Sequence, residues 1–242
     1  MNFDFPVEII RTERSKSASI EIEDDIVKVV VPKTLSDQRI EDLINNRTAW
    51  IRQKLKIHIE TIRPKPKEYV NGESFTYLGR NYRLKCIRGA TGQVKLKNGY
   101  LNVPVTEGVS GSALEQSLQK SLHEWYQSRA LEKLKEKTKR YSSILGVNPH
   151  SVDVKEYKAR WGSCSSSGDV TYNWRIIIAP HQIVDYIVAH ELCHLLEHNH
   201  GPKYWKLVQS VIPNYREHRE WLKVNGEGLR AVSYTHLTLP TN

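Results

Sequence analysis

His190-Glu191-Leu192-Cys193-His194 decides how this chain is read. Ile187, Val188 and Ala189 precede it and Leu195 and Leu196 come after it, so the helix that carries it is expected to be largely buried. Pro180 marks the start of that helix. Positions i and i+4 of a helix lie about 40° apart around the axis and ~6 Å along it. Two imidazoles so placed can reach one zinc ion at Zn–N distances of ~2.0–2.1 Å. Glu191, one residue on, can approach a water on that ion without taking a ligand position, and can accept the proton that the metal makes acidic. Two histidines and a glutamate buried without partners would be costly. Ligation therefore explains the pattern better than a solvated polar helix face.

The third ligand has several candidates. His198 continues the i, i+4, i+8 series, but on an unbroken helix it stands ~12 Å from His190 along the axis. A chain reversal after Leu196 favours His200 on geometry. Asn199 tolerates the left-handed conformation that ends helices, and Gly201 relieves the path beyond it. The spacing from His190 to His200 is that of metzincins, although Glu197 occupies their Gly position. Glu217 or Glu220 remains open as a carboxylate alternative.

Working outward, residues 151–158 read as a strand, followed by the loop Trp161-Gly162-Ser163-Cys164-Ser165-Ser166-Ser167-Gly168. Val170 to Ile178 read as one or two short strands. This segment is expected to lie beside the metal helix and, as an edge, to hold an extended substrate by strand addition. Helices are expected near 202–211 and 214–225. Upstream, residues 7–31 alternate as strands around the turn Asp24-Asp25. One helix then starts at Ser36-Asp37 and carries Ile40, Leu43, Ile44, Trp50, Ile51 and Leu55 at helical spacing. A connector holds Pro64 and Pro66. Strand patterns return over 69–104, with a hairpin signal at Asn98-Gly99. A long helix is expected over 112–141, broken by Gly146 and Pro149. The expected class is α+β: an N-terminal β-rich region with one helix over 1–110, then a metal-dependent hydrolase core with the HExxH helix over 111–230. Residues 231–242 fit nothing before them and resemble a non-native tail.

Composition narrows the class further. The 242 residues include 36 Lys and Arg against 27 Asp and Glu, a net charge of +9. That balance favours anionic partners, nucleic acid among them. Mean hydropathy is −0.55 and no run of ~18 apolar residues exists, which excludes a membrane helix. Cys86, Cys164 and Cys193 are an odd, scattered set and make no disulfide framework. With no apolar leader at the start, the reading is a cytoplasmic, reduced protein.

An ordered series surrounds the helix: Arg160-Trp161-Gly162-Ser163-Cys164, Asn173-Trp174-Arg175, Ala179-Pro180, Asp185 to Leu195, Asn199-His200, Tyr204-Trp205 and Pro213-Asn214-Tyr215. The series resembles the YgjP-like family of zinc metallohydrolases, which is related to the SprT-like and WLM peptidases. The resemblance is strongest over about 150–225 and extends more loosely to the N-terminal part. It implies a zinc ion held by His190, His194 and His200, with Glu191 as general base, in a compact zincin-like core. Tyr204 stands where many relatives carry Phe, a departure not expected to affect the chemistry.

Arg160 and Arg175 are candidates for binding an anionic substrate or stabilising an oxyanion; the alternative for each is a structural ion pair. Trp161, Trp174 and Trp205 are expected in the core, and Cys164 and Cys193 as small buried residues. Three functions are compatible with these residues. The first is zinc-dependent cleavage of peptide bonds. The second, which the resemblance also allows, is hydrolysis of a nucleoside triphosphate phosphoanhydride. The third is a nucleic-acid-associated binding module with structural zinc. A structural site closes with four protein ligands, and only three good ones stand in this sequence, which favours an open catalytic position.

Overall fold

The computed structural model describes residues 3–13, 18–23, 26–60 and 67–231. The Asp24-Asp25 turn, the Pro64–Pro66 connector and the expected tail past Ala231 lie outside the described residues. The chain divides into two compact units, Met1–Arg63 and Pro64–Asn242.

In the first unit, β1 (Val7–Thr12), β2 (Ser19–Glu23) and β3 (Ile26–Pro32) form a sheet of order β1-β3-β2. β3 is parallel to β1 and antiparallel to β2. The period-2 pattern of β3 puts Val27, Val29 and Val31 on one fully buried face. Ile40 and Ile44 of α1 (Asp37–Asn45) and Ile51 and Leu55 of α2 (Thr48–Glu60) cover it. The single helix expected here is two. Its break falls at Asn46-Arg47, where the Asn46 N–H reaches back to the Asp42 carbonyl at 2.9 Å. The Thr48 hydroxyl donates to the Ile44 carbonyl at 3.0 Å, the local side-chain bonding by which Thr competes with a continuous helix.

The second unit begins with β4 (Ser74–Tyr77), β5 (Arg80–Arg88), β6 (Lys95–Lys97) and β7 (Tyr100–Val105), in the order β4-β5-β7-β6. Its hairpins turn at Leu78-Gly79 and at Asn98-Gly99, all four residues at positive φ, as tight hairpin turns require. These strands belong with the C-terminal elements in one unit, whereas the sequence expectation drew a border near residue 110. α3 (Gly111–Leu145) runs four residues past the expected 141 and stops at Gly146, which takes φ 67°. Leu118, Leu122, Trp125, Tyr126, Ala130 and Leu134 form its buried stripe.

β8 (Ser151–Lys155), β9 (Gly162–Cys164) and β10 (Asp169–Asn173) form a second sheet, with β10 in the middle. The expected strand to Ile178 ends at Asn173 instead, and Trp174–Ile178 form a 3-10 turn. The Asn173 side chain caps that turn by accepting from the Arg175 N–H at 3.2 Å. The carbonyls of Ile177 and Ile178 then accept from the N–H groups of Leu78 and Gly79 at 2.7 and 3.2 Å. A tertiary contact has thus overridden the β propensity of three successive isoleucines. A β-carbon on Gly79 would come 2.8 Å from the Pro180 Cα, so only glycine permits this docking. The hairpin thereby fixes where α4 (His181–Cys193) begins. A half-buried ion pair, Lys137 to Asp185 at 2.6 Å, ties α4 to α3. α5 (Pro202–Val211) and α6 (Tyr215–Ala231) complete this mixed α+β unit. Among the described residues no helix is long and apolar enough to cross a membrane.

Candidate metal centre

His190 and Glu191 lie on the last turn of α4, whose apolar residues seat it in the core. His194 caps the helix in right-handed conformation, φ −66°, and the chain then turns back through Leu195 and Leu196. Asn199 does not take the left-handed conformation expected of it, because a right-handed cap followed by tight i→i+3 turns already reverses the chain. The reversal brings His200 back. The ligand-capable atoms of His190, His194 and His200 all lie within 4.8 Å of one another. His198 lines the same cleft but is not one of the three. Glu217 and Glu220, the carboxylate alternatives, are exposed on α6, and Glu220 pairs with Lys223 at 2.5 Å.

The donor set fits a tetrahedral ion. Nε2 of His190 and Nε2 of His200 stand 3.2 Å apart. Two nitrogens at ~2.0–2.1 Å from one such ion are expected ~3.3 Å apart. His194 Nδ1 lies 3.2 Å from the Glu197 carbonyl, a contact that fixes a proton on Nδ1 and leaves Nε2 free to ligate. His190 Nδ1 is buried without a partner, so Nε2 is the ring's polar outlet. Burial first, then the neighbouring histidines and Arg219, push His190 down to about 3. His194 and His200 are lowered as well, chiefly by burial. All three imidazoles are therefore held neutral, as metal ligation demands.

Tyr204 orders this cluster. Its ring stacks on His194 (4.7 Å, 28°) and meets His200 edge-on at 4.6 Å. Its hydroxyl donates to the His190 carbonyl at 2.8 Å. A Phe at this position could not make that bond, so the departure noted in the sequence has a structural consequence. Trp205 backs His200 at 5.5 Å.

Glu191 is 5% exposed. Burial raises its carboxyl to about 8, against an opposing pull from Arg160. The cleft beside it holds about 650 Å³. β9, an edge strand of its sheet, forms one wall with Arg160 and Trp161; α6 supplies Arg219, Leu222 and Lys223. The strand expected beside the metal helix as a substrate-holding edge was the 170–178 segment. β10 is instead paired on both sides, and β9 is the edge that reaches the cleft. Arg175 is not in the cleft. It is 4% exposed, pairs with Glu156 at 2.8 Å and lies over the Trp174 ring. Trp161 lines the cleft and packs on the core. Cys164 stands in the cleft wall, and Cys193 is fully buried.

Sequence reasoning missed Arg219. Its guanidinium sits 5.0 Å from the Trp205 ring centroid and faces His190 and His200. Only the one-turn spacing to Lys223 on a late helix could have signalled it.

A paired-histidine helix with a third histidine returned by the next turn, beside a buried glutamate, defines a metallopeptidase-type centre. The chain belongs to the YgjP-like family, whose metallopeptidase domain matches residues 16–225. Among curated proteins none matches the sequence. Solved structures similar to it include the metallopeptidase zymogens of Pyrococcus abyssi abylysin and Methanocaldococcus jannaschii jannalysin. The first is 21% identical, covers 38% of this chain and 93% of its own, and has a TM-score of 0.36. The second is 20% identical, covers 38% and 95%, and has a TM-score of 0.35.

Proposed function

We propose that this chain is a zinc-dependent peptidase, with His190, His194 and His200 as metal ligands and Glu191 as general base. The observation that carries the reading is the convergence of three neutral imidazoles beside one buried carboxylate. Zinc in such a site lowers the pKa of a water it holds and polarises a carbonyl. The chain's own residues supply the rest. Glu191, desolvated beneath Gly162, is a stronger base than a solvated carboxylate; it takes the proton of the attacking water and returns it to the leaving amine. The free edge of β9 offers backbone groups to an extended peptide. Arg160 and Arg219 are placed to receive negative charge on the substrate or on the developing oxyanion.

The same cations support a second reading, hydrolysis of a nucleoside triphosphate. Water activation by Glu191 would serve either reaction. Support for a structural zinc site is weaker, since among the described residues the cluster holds three side chains and no fourth. A cytoplasmic location accords with three unpaired cysteines. The test is metal analysis of the purified protein, followed by parallel assays on unfolded casein and on nucleoside triphosphates, with Glu191→Gln as control. Casein cleavage that Glu191→Gln abolishes is the expected result. Turnover of nucleotides alone would replace the peptidase reading with the second one.

A further inference from the structure

The outer face of the β4-β5-β7-β6 sheet carries an unusual set of side chains. Arg83 on β5 stands opposite Tyr100 on β7, and Tyr100 opposite Lys97 on β6. Two residues along, Lys85 stands opposite Asn102, and Asn102 opposite Lys95. Leu84, Leu96 and Leu101 point the other way, into the core. Alternate residues on a strand lie ~6.7 Å apart, and strands two apart are separated by ~9.5 Å. Four positive charges therefore share a patch of roughly 7 by 10 Å.

Such a patch is costly alone. Like charges at this range repel, and ordinary surfaces intersperse both signs. Among the described residues none of the four cations pairs with a carboxylate. The arrangement is also preformed. Asn102 Nδ2 lies 3.3 and 3.5 Å from the Lys95 and Lys97 carbonyls, holding edge strand β6 in place. Tyr100 is 38% exposed, with the Lys85 ammonium 5.8 Å from its ring centroid. Residues 1–63 carry eleven Lys and Arg and eleven Asp and Glu, so the whole net charge of +9 lies in 64–242.

We propose that this face binds single-stranded nucleic acid, with phosphates on Arg83, Lys85, Lys95 and Lys97 and a base stacked on Tyr100. A positively charged floor with an exposed aromatic ring is the combination that holds unpaired strands. A duplex keeps its base faces inside the stack and would leave Tyr100 unused. None of the six residues lines the metal cleft, so the inference stands apart from the peptidase reading.

The test is fluorescence anisotropy with labelled 12-nucleotide oligo-dT and oligo-U, a 12-base-pair duplex, and heparin as competitor. Both single strands should bind, with log affinity falling against log salt at a slope of about −3 for four phosphates. Lys95→Gln/Lys97→Gln should reduce that slope by about 1.4. Tyr100→Ala should weaken both single strands by roughly 5- to 150-fold with little change in slope, whereas Tyr100→Phe should retain binding. A DNA-only or RNA-only result would assign the sugar. Melting curves confirm that each variant is folded. The proposal fails if no saturable binding is seen at about 50 mM salt. It fails equally if the lysine pair binds like wild type, if Tyr100→Ala matches Tyr100→Phe, or if duplex and heparin bind as tightly as single strands.

Discussion

Gly162 and Glu191 occupy one space. A β-carbon on Gly162 would stand 2.6 Å from Glu191 Oε1 and 2.8 Å from its Cδ, distances no real side chain tolerates. The glycine is needed here for close approach and not for backbone strain, since its φ is ordinary. Gly162→Ala should therefore displace the Glu191 carboxylate while leaving the three histidines in place. The expected outcome is turnover reduced by roughly 10²- to 10⁴-fold, the usual worth of a general base, with metal content unchanged. Casein assays and metal analysis on one preparation check it. Wild-type turnover would show that the base is not held by this contact.

That contact could not be read in the sequence, although both residues stood in the series that suggested the family. The HExxH pattern was legible because helical periodicity alone puts two imidazoles on one face. The third histidine was legible as a favourite because an unbroken helix carries His198 too far. How the chain returns was not legible: it uses a right-handed cap at His194 and not a left-handed Asn199. The long helix and most strands were legible from period and punctuation, but Gly162–Cys164, read as part of a loop, is the edge strand β9. The 3-10 turn at Trp174–Ile178 was not, since its cause is a hydrogen-bonded hairpin about a hundred residues upstream. Arg160 and Arg175 looked alike in sequence because charge says nothing about which is buried.

Tyr204 makes a bond that Phe cannot. Its hydroxyl satisfies the His190 carbonyl, whose usual partner in a helix, the His194 N–H, bonds the Glu191 carbonyl instead. Tyr204→Phe should lower stability by about 1 kcal/mol, or somewhat more if the carbonyl stays dry, while the ring keeps the imidazoles stacked. Zinc stoichiometry should stay at wild-type level. Thermal melts of metal-loaded and chelated protein test this, and an undiminished melting temperature in both states would remove the bond's role.

Arg175 and Arg219 should part company on mutation. Glu156→Gln leaves the Arg175 guanidinium buried without its carboxylate partner, so stability should fall by about 1–3 kcal/mol with KM unmoved. Arg219→Ala removes an exposed cation from the cleft, so stability should hardly change and KM for peptides carrying acidic residues near the scissile bond should rise several-fold. Steady-state kinetics on acidic and neutral peptides, together with melts, separate the two. An Arg219→Ala variant with the same KM for both peptides would show that this arginine serves only the Trp205 stack.

The base and the ligands should also separate cleanly. Glu191→Gln preserves size and hydrogen bonding but removes the proton acceptor. It also removes a carboxyl whose charged form burial disfavours. Metal content should be retained, and hydrolysis should fall by roughly 10²- to 10⁴-fold. His190→Ala or His194→Ala should abolish metal binding, because two remaining ligands hold an ion poorly. His200→Ala should weaken zinc affinity and lower the melting temperature of the loaded protein, because metal binding is coupled to folding. Chelation of the wild type should produce the same direction of shift and add little to His200→Ala. Zinc content, melting temperature and turnover measured on the same preparations resolve the roles. If Glu191→Gln loses zinc as readily as His200→Ala, Glu191 is a ligand and the proposed chemistry is wrong. If His200→Ala keeps zinc fully, His200 is not the third ligand, and His198, in the same cleft, is the next residue to replace.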